Sequence, residues 1–380
     1  MSNKNVMKRF LLTIMSLCAL GVVSAQTTSD VDVEALQERV AKLEKRSAVW
    51  DKLKPAFKLS GYIQAGYDYL WNEDGTTTST FHLRRARMTM QGDVYNGKKG
   101  AKASYRLQID FCRTPVIVDL WAKYQPVNQF GVQVGQFKLP VSIENTDYNA
   151  TKLEFVNYAQ VVQRLARLGS GDMTGISSTG RDTGVQLFGG FIKKDGFSII
   201  NYEVGVFNGT GLNAKDNNKT KDVAARLTIQ PAKKLKIAGY YHWGEADATT
   251  LATKYPAIIN GWNNIKYVAY SRYGGGVDYN NKFLYARSEY IAGKTGDLTS
   301  EGAYAQVGYK FLGKCAVGVR FDYFDENVNA DGCQINYSAA ISYHPWKHLR
   351  LQAEYTLQQY RKLGDKPNGN CLYLMATALF

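Results

Sequence analysis

Residues 101–111 read AKASYRLQIDF, with an apolar or aromatic side chain at every second position. One face collects Ala101, Ala103, Tyr105, Leu107, Ile109 and Phe111, and the other collects Lys102, Ser104, Arg106, Gln108 and Asp110. Because successive strand side chains point to opposite sides of a sheet, such a segment separates an apolar medium from water. The same rhythm recurs from Phe57 to Phe380, so the sequence predicts a sheet that acts as a wall.

Composition agrees with a β-rich chain. Aromatic residues make up 13% of the 380 residues, with 26 Tyr, and no stretch after the N-terminal segment approaches the roughly 20 apolar residues of a membrane-spanning helix. Four cysteines remain beyond that segment, without CxxC spacing, at positions Cys112, Cys315, Cys333 and Cys371. This pattern predicts neither a zinc nor a redox site, although one disulfide is conceivable.

The N-terminus has the features of a cleaved signal peptide. Lys4, Lys8 and Arg9 precede the apolar run Phe10–Val23, and small residues place the cut after Ala25. Removal of residues 1–25 lowers the formal net charge from +14 to +11, because three positive charges and no acidic ones are lost. Such an excess attracts small anions or anionic lipid, and export argues against a nucleic-acid partner.

Residues 26–55 are predicted to form a periplasmic helical segment. Val33, Leu36, Val40, Leu43 and Trp50 follow a heptad seam among charged residues, which favours a short coiled coil. A solvated linker helix is the alternative.

Residues 56–380 are predicted to form an all-β fold, a 16-stranded antiparallel transmembrane β-barrel. The connections between the predicted strands alternate between short and long, as in outer-membrane barrels whose periplasmic turns are short. Cys112–Pro115 is the one short link predicted on the long-loop side, whereas Gly293–Ser300 is predicted to be a longer loop. Lipid contacts the outer face of such a barrel, and a soluble sandwich would not sort its loops in this way.

The predicted lumenal face carries both signs of charge in near balance. Its basic members are Arg85, Arg87, Lys102, Arg106, Lys123, Arg226, Arg287, Arg320 and Arg350, and its acidic members are Asp93, Asp110, Asp119, Glu203, Asp222, Glu289, Asp322 and Glu354. In a water-filled channel these groups are expected to stay solvated. The densest basic cluster, Arg84-Arg85-Ala86-Arg87, is expected to face Arg106 and Gln108, where it either guides anions or pairs with Asp110.

The connection at about 139–180, here called loop 3, is long enough to be functional. It carries Arg164 and Arg167 and ends at Arg181, and residues 153–168 have partly helical spacing. We expect it to fold into the lumen and constrict it. The alternative is a loop that projects outwards.

An ordered series of motifs resembles the phosphate-selective porin O and P family. The series is Phe81-His82-Leu83-Arg84-Arg85-Ala86-Arg87, Tyr105–Phe111, Val134-Gly135-Gln136-Phe137-Lys138-Leu139-Pro140, Arg181–Val185 and Val206–Gly211. The resemblance implies a trimeric, sixteen-stranded outer-membrane porin whose third extracellular loop constricts the pore. It also implies that Arg84, Arg85, Arg87 and Lys138 guide anions.

The resulting hypothesis is passive diffusion of small hydrophilic solutes with a preference for phosphate-like anions and no cofactor. The predicted pore residues are Arg84, Arg85, Arg87, Lys102, Arg106, Lys123, Lys138, Arg164, Arg167 and Arg181. A general or oligosaccharide-diffusion porin is the alternative. A barrel enzyme and a surface adhesin are weaker alternatives, because the four histidines form no catalytic motif and the loops form no separate domain.

Overall fold

A computed structural model describes residues 38–42, 56–97, 100–176, 178–254, 265–364 and 366–380. The chain divides into two units, residues 1–53 and Lys54–Phe380. In the first unit, residues 38–42 form a helix, α1. The predicted signal peptide and most of the predicted coiled segment lie outside the described residues. Within the described ranges, no helix has the length and apolar character needed to span a membrane.

The second unit is a closed barrel of sixteen strands, as the sequence predicts. Each strand pairs antiparallel with its neighbours in sequence, and β1 closes the barrel against β16 from Tyr62↔Leu379 to Asn72↔Gly369. The strands are β1 (Lys58–Asn72), β2 (Thr77–Asn96), β3 (Lys102–Asp110), β4 (Val116–Val127), β5 (Phe130–Lys138), β6 (Arg181–Lys194), β7 (Phe197–Phe207), β8 (Asp222–Ala232), β9 (Leu235–Asp247), β10 (Tyr267–Asn280), β11 (Leu284–Thr295), β12 (Leu298–Phe311), β13 (Cys315–Asp325), β14 (Cys333–Trp346), β15 (Leu349–Arg361) and β16 (Gly369–Leu379).

The two faces of the wall have opposite polarity. On β13, Val319 and Phe321 are exposed on the outside, whereas Arg320 and Asp322 are buried on the inside. An apolar outer face beside a charged inner face is the arrangement of a barrel with lipid outside and water or protein within.

The connections follow the predicted parity with one correction. Residues 293–300 do not form a longer loop, because Thr295 pairs with Leu298 and only Gly296 and Asp297 turn the chain. Gly296 has φ 57°, which suits a two-residue hairpin turn. The prediction was wrong because Lys294, Thr295 and Leu298 extend the strands beyond the apolar alternation.

Loop 3 lies inside the barrel. It contains helices α2 (Ile143–Asp147) and α3 (Gln160–Leu165), and α3 packs against β11, β12 and β13. A buried apolar cluster joins Val161 and Leu165 of the loop to Ile291, Tyr304 and Phe324 of the wall. A further helix, α4 (Ala248–Lys254), follows β9. The loop therefore divides the lumenal wall into a covered part and an open part.

Candidate functional site

Strand β2 carries a β-bulge at the basic cluster. Gln64 pairs with Arg85 and Ala65 pairs with Leu83, so Arg84 is the extra residue. A bulge re-aims side chains, and both arginines reach lumenal partners. Arg84 Nη2 donates to Asn157 Oδ1 of loop 3 at 2.8 Å, and Arg85 Nη1 donates to Gln64 Oε1 at 2.9 Å. Both partners are neutral.

Arg87 is instead ion-paired. Its Nε lies 2.8 Å from Asp110 Oδ2, and both side chains are buried. The register aligns Arg87 with Asp110 and Gln91 with Arg106. The basic cluster therefore does not face Arg106 and Gln108. That expectation was wrong because strand pairing places Arg106 opposite Gln91, four residues farther along β2 than Arg87. Lys102 pairs with Asp93 at 3.0 Å, on half-exposed side chains near the same turn.

Asp119 links two further predicted pore residues. Its carboxylate lies 3.0 Å from Arg106 Nε and 2.6 Å from Arg181 Nε. Lys138 Nζ donates to the carbonyls of Asn145 and Tyr148 in loop 3, at 2.5 and 2.8 Å.

The motif that carries Lys138 depends on its glycine. Gly135 has φ 117°, and a Cβ at this position would lie 2.1 Å from the Leu120 carbonyl oxygen. Only glycine fits both constraints.

Three cavities lie along this open side of the lumen. One of about 240 Å³ is lined by Arg87, Arg106, Lys138 and Arg181 together with Tyr158. A second of about 540 Å³ is lined by Lys58, Asp93, Lys102, Trp121 and Lys123, among others. A third of about 340 Å³ has Lys123, Asp147, Glu203, Arg226 and Lys236 among its lining residues. Together these cavities present nine basic residues and three acidic ones.

On the covered side, Glu289 of β11 anchors the start of α2. Its carboxylate accepts hydrogen bonds from Ser142 Oγ at 3.0 Å and from the amides of Ile143 and Glu144 at 2.6 and 3.0 Å. Tyr240 and Tyr304 also donate to it, at 2.9 and 2.7 Å. Sequence reasoning placed Glu289 in the lumen but did not identify this role.

Two further wall carboxylates, Asp322 of β13 and Glu354 of β15, accept hydrogen bonds from backbone amides farther along loop 3. Asp322 accepts from the Gln160 amide and Glu354 from the Asn157 amide, each at 3.0 Å. Arg320 lies 2.8 Å from Asp322 and 3.2 Å from Glu354, and it donates to the Asn157 carbonyl at 2.9 Å. These side chains are buried, so the expectation that lumenal charges stay solvated was wrong for this part of the wall.

Arg167 of loop 3 lies in a buried charge cluster. Its guanidinium is 1% exposed and bonds Asp182 at 2.8 Å, Asp222 at 2.5 Å and the Tyr270 hydroxyl. It lines none of the three cavities. Arg164 is ion-paired with Glu326 and also lies away from those cavities.

The family of the chain follows from its sequence. The family described as Phosphate-selective porin O and P matches residues 57–376. The chain belongs to this family. It is an outer-membrane porin, and the closed sixteen-stranded barrel is the structure expected of one.

Solved structures support the fold of the porin. The anion-selective porin from Comamonas acidovorans superposes with a TM-score of 0.64 at 11% identity, covering 85% of this chain and 99% of that one. OmpF of Salmonella typhi in complex with daunomycin gives 0.60 at 11% identity, covering 86% and 99%. The trimer form of in-vitro folded OmpT of Vibrio cholerae gives 0.58 at 13% identity, covering 85% and 99%. No curated protein sequence matches significantly.

Two carboxyl groups of loop 3 have opposite pKa shifts. Burial opposes ionisation of Asp147, but Arg226 and Lys236, at 2.9 and 2.8 Å, outweigh it and lower the pKa to about 2. Burial, partly offset by Arg287 and Arg320, raises the pKa of Glu144 to about 7. Asp147 on the open side is therefore ionised at neutral pH. Glu144 on the covered side has a pKa close to neutral pH, so it is partly protonated there.

The described residues hold no cluster of His, Cys, Asp and Glu suited to a metal ion. Cys112, Cys315, Cys333 and Cys371 are free thiols, so the conceivable disulfide is not formed.

Proposed function

We propose that the porin passes small hydrophilic solutes by passive diffusion and prefers small anions of the phosphate type. The path runs between loop 3 and strands β2–β9, through the three lumenal cavities, and loop 3 is its constriction. No chemical step and no cofactor takes part.

The excess of basic groups along the open side carries this proposal. Loop 3 occupies the carboxylates of β11, β13 and β15 with its own amides and with neighbouring arginines. The cavities retain nine basic and three acidic lining residues. The wall as a whole has nearly balanced charge, but the residues that line the cavities have a net positive charge. A positively charged path favours the entry of anions.

Three lumenal basic residues make no ion pair within the described part of the chain, and one of them, Lys123, lines two of the cavities. Arg84 and Arg85 bond neutral amides, and Lys123 lies 3.7 Å from the centroid of the Phe188 ring. Replacing them therefore removes positive charge without leaving a buried carboxylate unpaired.

Planar-bilayer recording of the refolded porin tests the proposal. In a potassium chloride gradient, we expect the wild-type reversal potential to indicate chloride preference and added phosphate to reduce chloride current. The variant Arg84→Gln, Arg85→Gln and Lys123→Gln should have a clearly smaller anion preference.

The matched control is Lys215→Gln, Lys219→Gln and Lys366→Gln, which removes the same charge from exposed loop positions. It should retain the wild-type reversal potential. Cation preference of the wild type would refute the anion assignment. An equal loss of anion preference in the lumenal and the control variant would refute the proposed permeation path. A protein that forms no stable channels would refute diffusion through the lumen.

We further propose export through cleavage after Ala25 and assembly as a homotrimer. Support for the trimer comes from the described trimer form of Vibrio cholerae OmpT, which shares the fold. N-terminal sequencing of the mature protein should begin at Gln26. Native mass spectrometry should give three times the chain mass, and a monomer mass would contradict the assembly.

A further inference from the structure

The short-turn end of the barrel carries a run of exposed lysines. They lie in or beside five successive turns, from β6–β7 to β14–β15. We call the seven of them the lysine arc: Lys193, Lys194, Lys233, Lys234, Lys282, Lys314 and Lys347. Among the described residues of these turns, Asp195 is the one acidic group. The arc is thus strongly positive.

Backbone hydrogen bonds join the last four of these five turns, from β8–β9 to β14–β15, into a continuous rim. The Asn280 amide donates to the Lys234 carbonyl at 3.0 Å, and the Lys310 amide donates to the Phe283 carbonyl at 2.6 Å. The His344 amide donates to the Lys314 carbonyl at 2.8 Å. The lysines from Lys233 to Lys347 therefore stand on one continuous edge rather than on independent loops.

Large apolar side chains project from the same turns. Ile192 precedes Lys193, Phe283 follows Lys282, Leu312 lies two residues before Lys314, and Trp346 precedes Lys347. Their exposed fractions are 61%, 54%, 83% and 61%, respectively. The Lys282 ammonium lies 5.3 Å from the centroid of the Phe283 ring.

An apolar tip beside an ammonium group matches the boundary of a phospholipid leaflet. Aromatic and aliphatic tips favour the acyl and interfacial layer, and lysine extends to the headgroups. Short turns face the periplasm in barrels of this class. We propose that the lysine arc binds the headgroup phosphates of anionic phospholipid in the periplasmic leaflet.

The arc is separate from the permeation path. None of its lysines lines the three lumenal cavities. Lipid binding should therefore be independent of ion preference, although the membrane setting rests on the assignment of the chain as a porin. Bilayer reversal potentials show which of the two proposals fails, lipid binding by the arc or anion-selective diffusion, because an arc variant should retain the wild-type ion preference.

Native mass spectrometry with equimolar phosphatidylglycerol and phosphatidylcholine tests the arc. The arc variant replaces Lys193, Lys194, Lys282, Lys314 and Lys347 with Gln. A matched control replaces five exposed lysines of the long-loop end with Gln: Lys215, Lys219, Lys266, Lys362 and Lys366. We expect wild type and control to retain phosphatidylglycerol preferentially, and the arc variant to lose that preference at least about fivefold, since the substitutions remove five ammonium groups that attract an anionic headgroup.

A smaller variant, Lys193→Gln with Lys194→Gln, should give an intermediate loss, and it guards against misfolding of the five-site variant. Competition with inorganic phosphate separates the two sources of phosphate, and it should leave lipid retention unchanged. Displacement of the lipid by free phosphate would overturn the proposal. Unchanged lipid preference in the arc variant, as expected if the arc docks an acidic protein, would overturn it as well.

Discussion

On strands β11–β15 the lumenal carboxylates are buried beneath loop 3, whereas on strands β2–β5 the lumenal bases border cavities. Glu289 and Glu354 are each 1% exposed, while the side chains of Lys102 and Asp93 are 48% and 32% exposed. The two regions contain the same residue types. On the covered side, charged groups bond loop 3, whereas on the open side charged groups such as Lys102 and Asp93 stay partly exposed at a cavity.

This comparison predicts different consequences for mutation. An unpaired charge costs several kcal/mol when buried, but an exposed ion pair contributes little. Substitutions on the covered side should therefore change mainly stability, and those on the open side mainly ion preference.

The largest expected effect is the loss of Arg167. Arg167→Met leaves the carboxylates of Asp182 and Asp222 buried without their cation, which should cost about 3–5 kcal/mol. Urea unfolding in lipid vesicles measures the change. Arg164→Met, which breaks a partly exposed pair in the same loop, is the control and should cost about 1 kcal/mol or less. Equal losses for the two variants would contradict the difference between buried and partly exposed ion pairs.

Glu289→Ala should loosen the start of loop 3. The substitution removes the acceptor of the Ser142 hydroxyl and of the Ile143 and Glu144 amides, at a cost of about 3 kcal/mol. Single-channel recording should show a larger and noisier conductance, because the loop can leave the lumen. Asp93→Ala on the open side should leave the mean conductance close to wild type. A Glu289→Ala channel with unaltered conductance would show that the loop is held without this anchor.

Glu144→Gln should have an effect that depends on pH. The pKa of Glu144 is raised from 4.5 to about 7, so between these values the unfolded chain releases a proton that the folded porin keeps. Stability is therefore lost as pH rises from about 4.5 to 7, and the penalty is complete above 7. The glutamine variant avoids this penalty.

Urea unfolding at two pH values measures this effect. Glu144→Gln should be more stable than wild type by up to about 3 kcal/mol at pH 8 and indistinguishable from it at pH 4. A variant that is less stable at pH 8 would show that pairing between ionised Glu144 and Arg287 outweighs the burial of the carboxylate.

Alternating polarity predicted the barrel, since the pattern of a strand is local and extends along all sixteen segments. Of the two alternatives for the basic cluster, Arg87 follows the pairing with Asp110, because a tight turn fixes which residues meet. The bulge at Arg84 was not predictable in this way. Strict alternation assigns Arg84 and Arg85 to opposite faces, and the extra residue becomes evident only from the pairing of β1 with β2.

The division of the lumen into two parts was even less accessible from sequence. It depends on contacts such as that between the Glu144 amide and Glu289, which are 145 residues apart. The sequence of loop 3 shows helical spacing and mixed charge, but not which wall carboxylates will accept its amides. A count of charges in the wall therefore overestimates the acidity of the open path.

The smallest effect on stability is expected for the Lys102–Asp93 pair, which is also the most direct test of the open side. Lys102→Gln and Asp93→Asn should each change the free energy of unfolding by about 1 kcal/mol or less, since both side chains are partly solvated. Both residues line the same cavity of about 540 Å³. Because they carry opposite charges at nearly the same place, Lys102→Gln should lower the anion preference and Asp93→Asn should raise it. Reversal potentials that shift in the same direction in both variants would mean that the pair acts through its geometry. Reversal potentials equal to that of the wild type in both variants would place the permeation path elsewhere in the lumen.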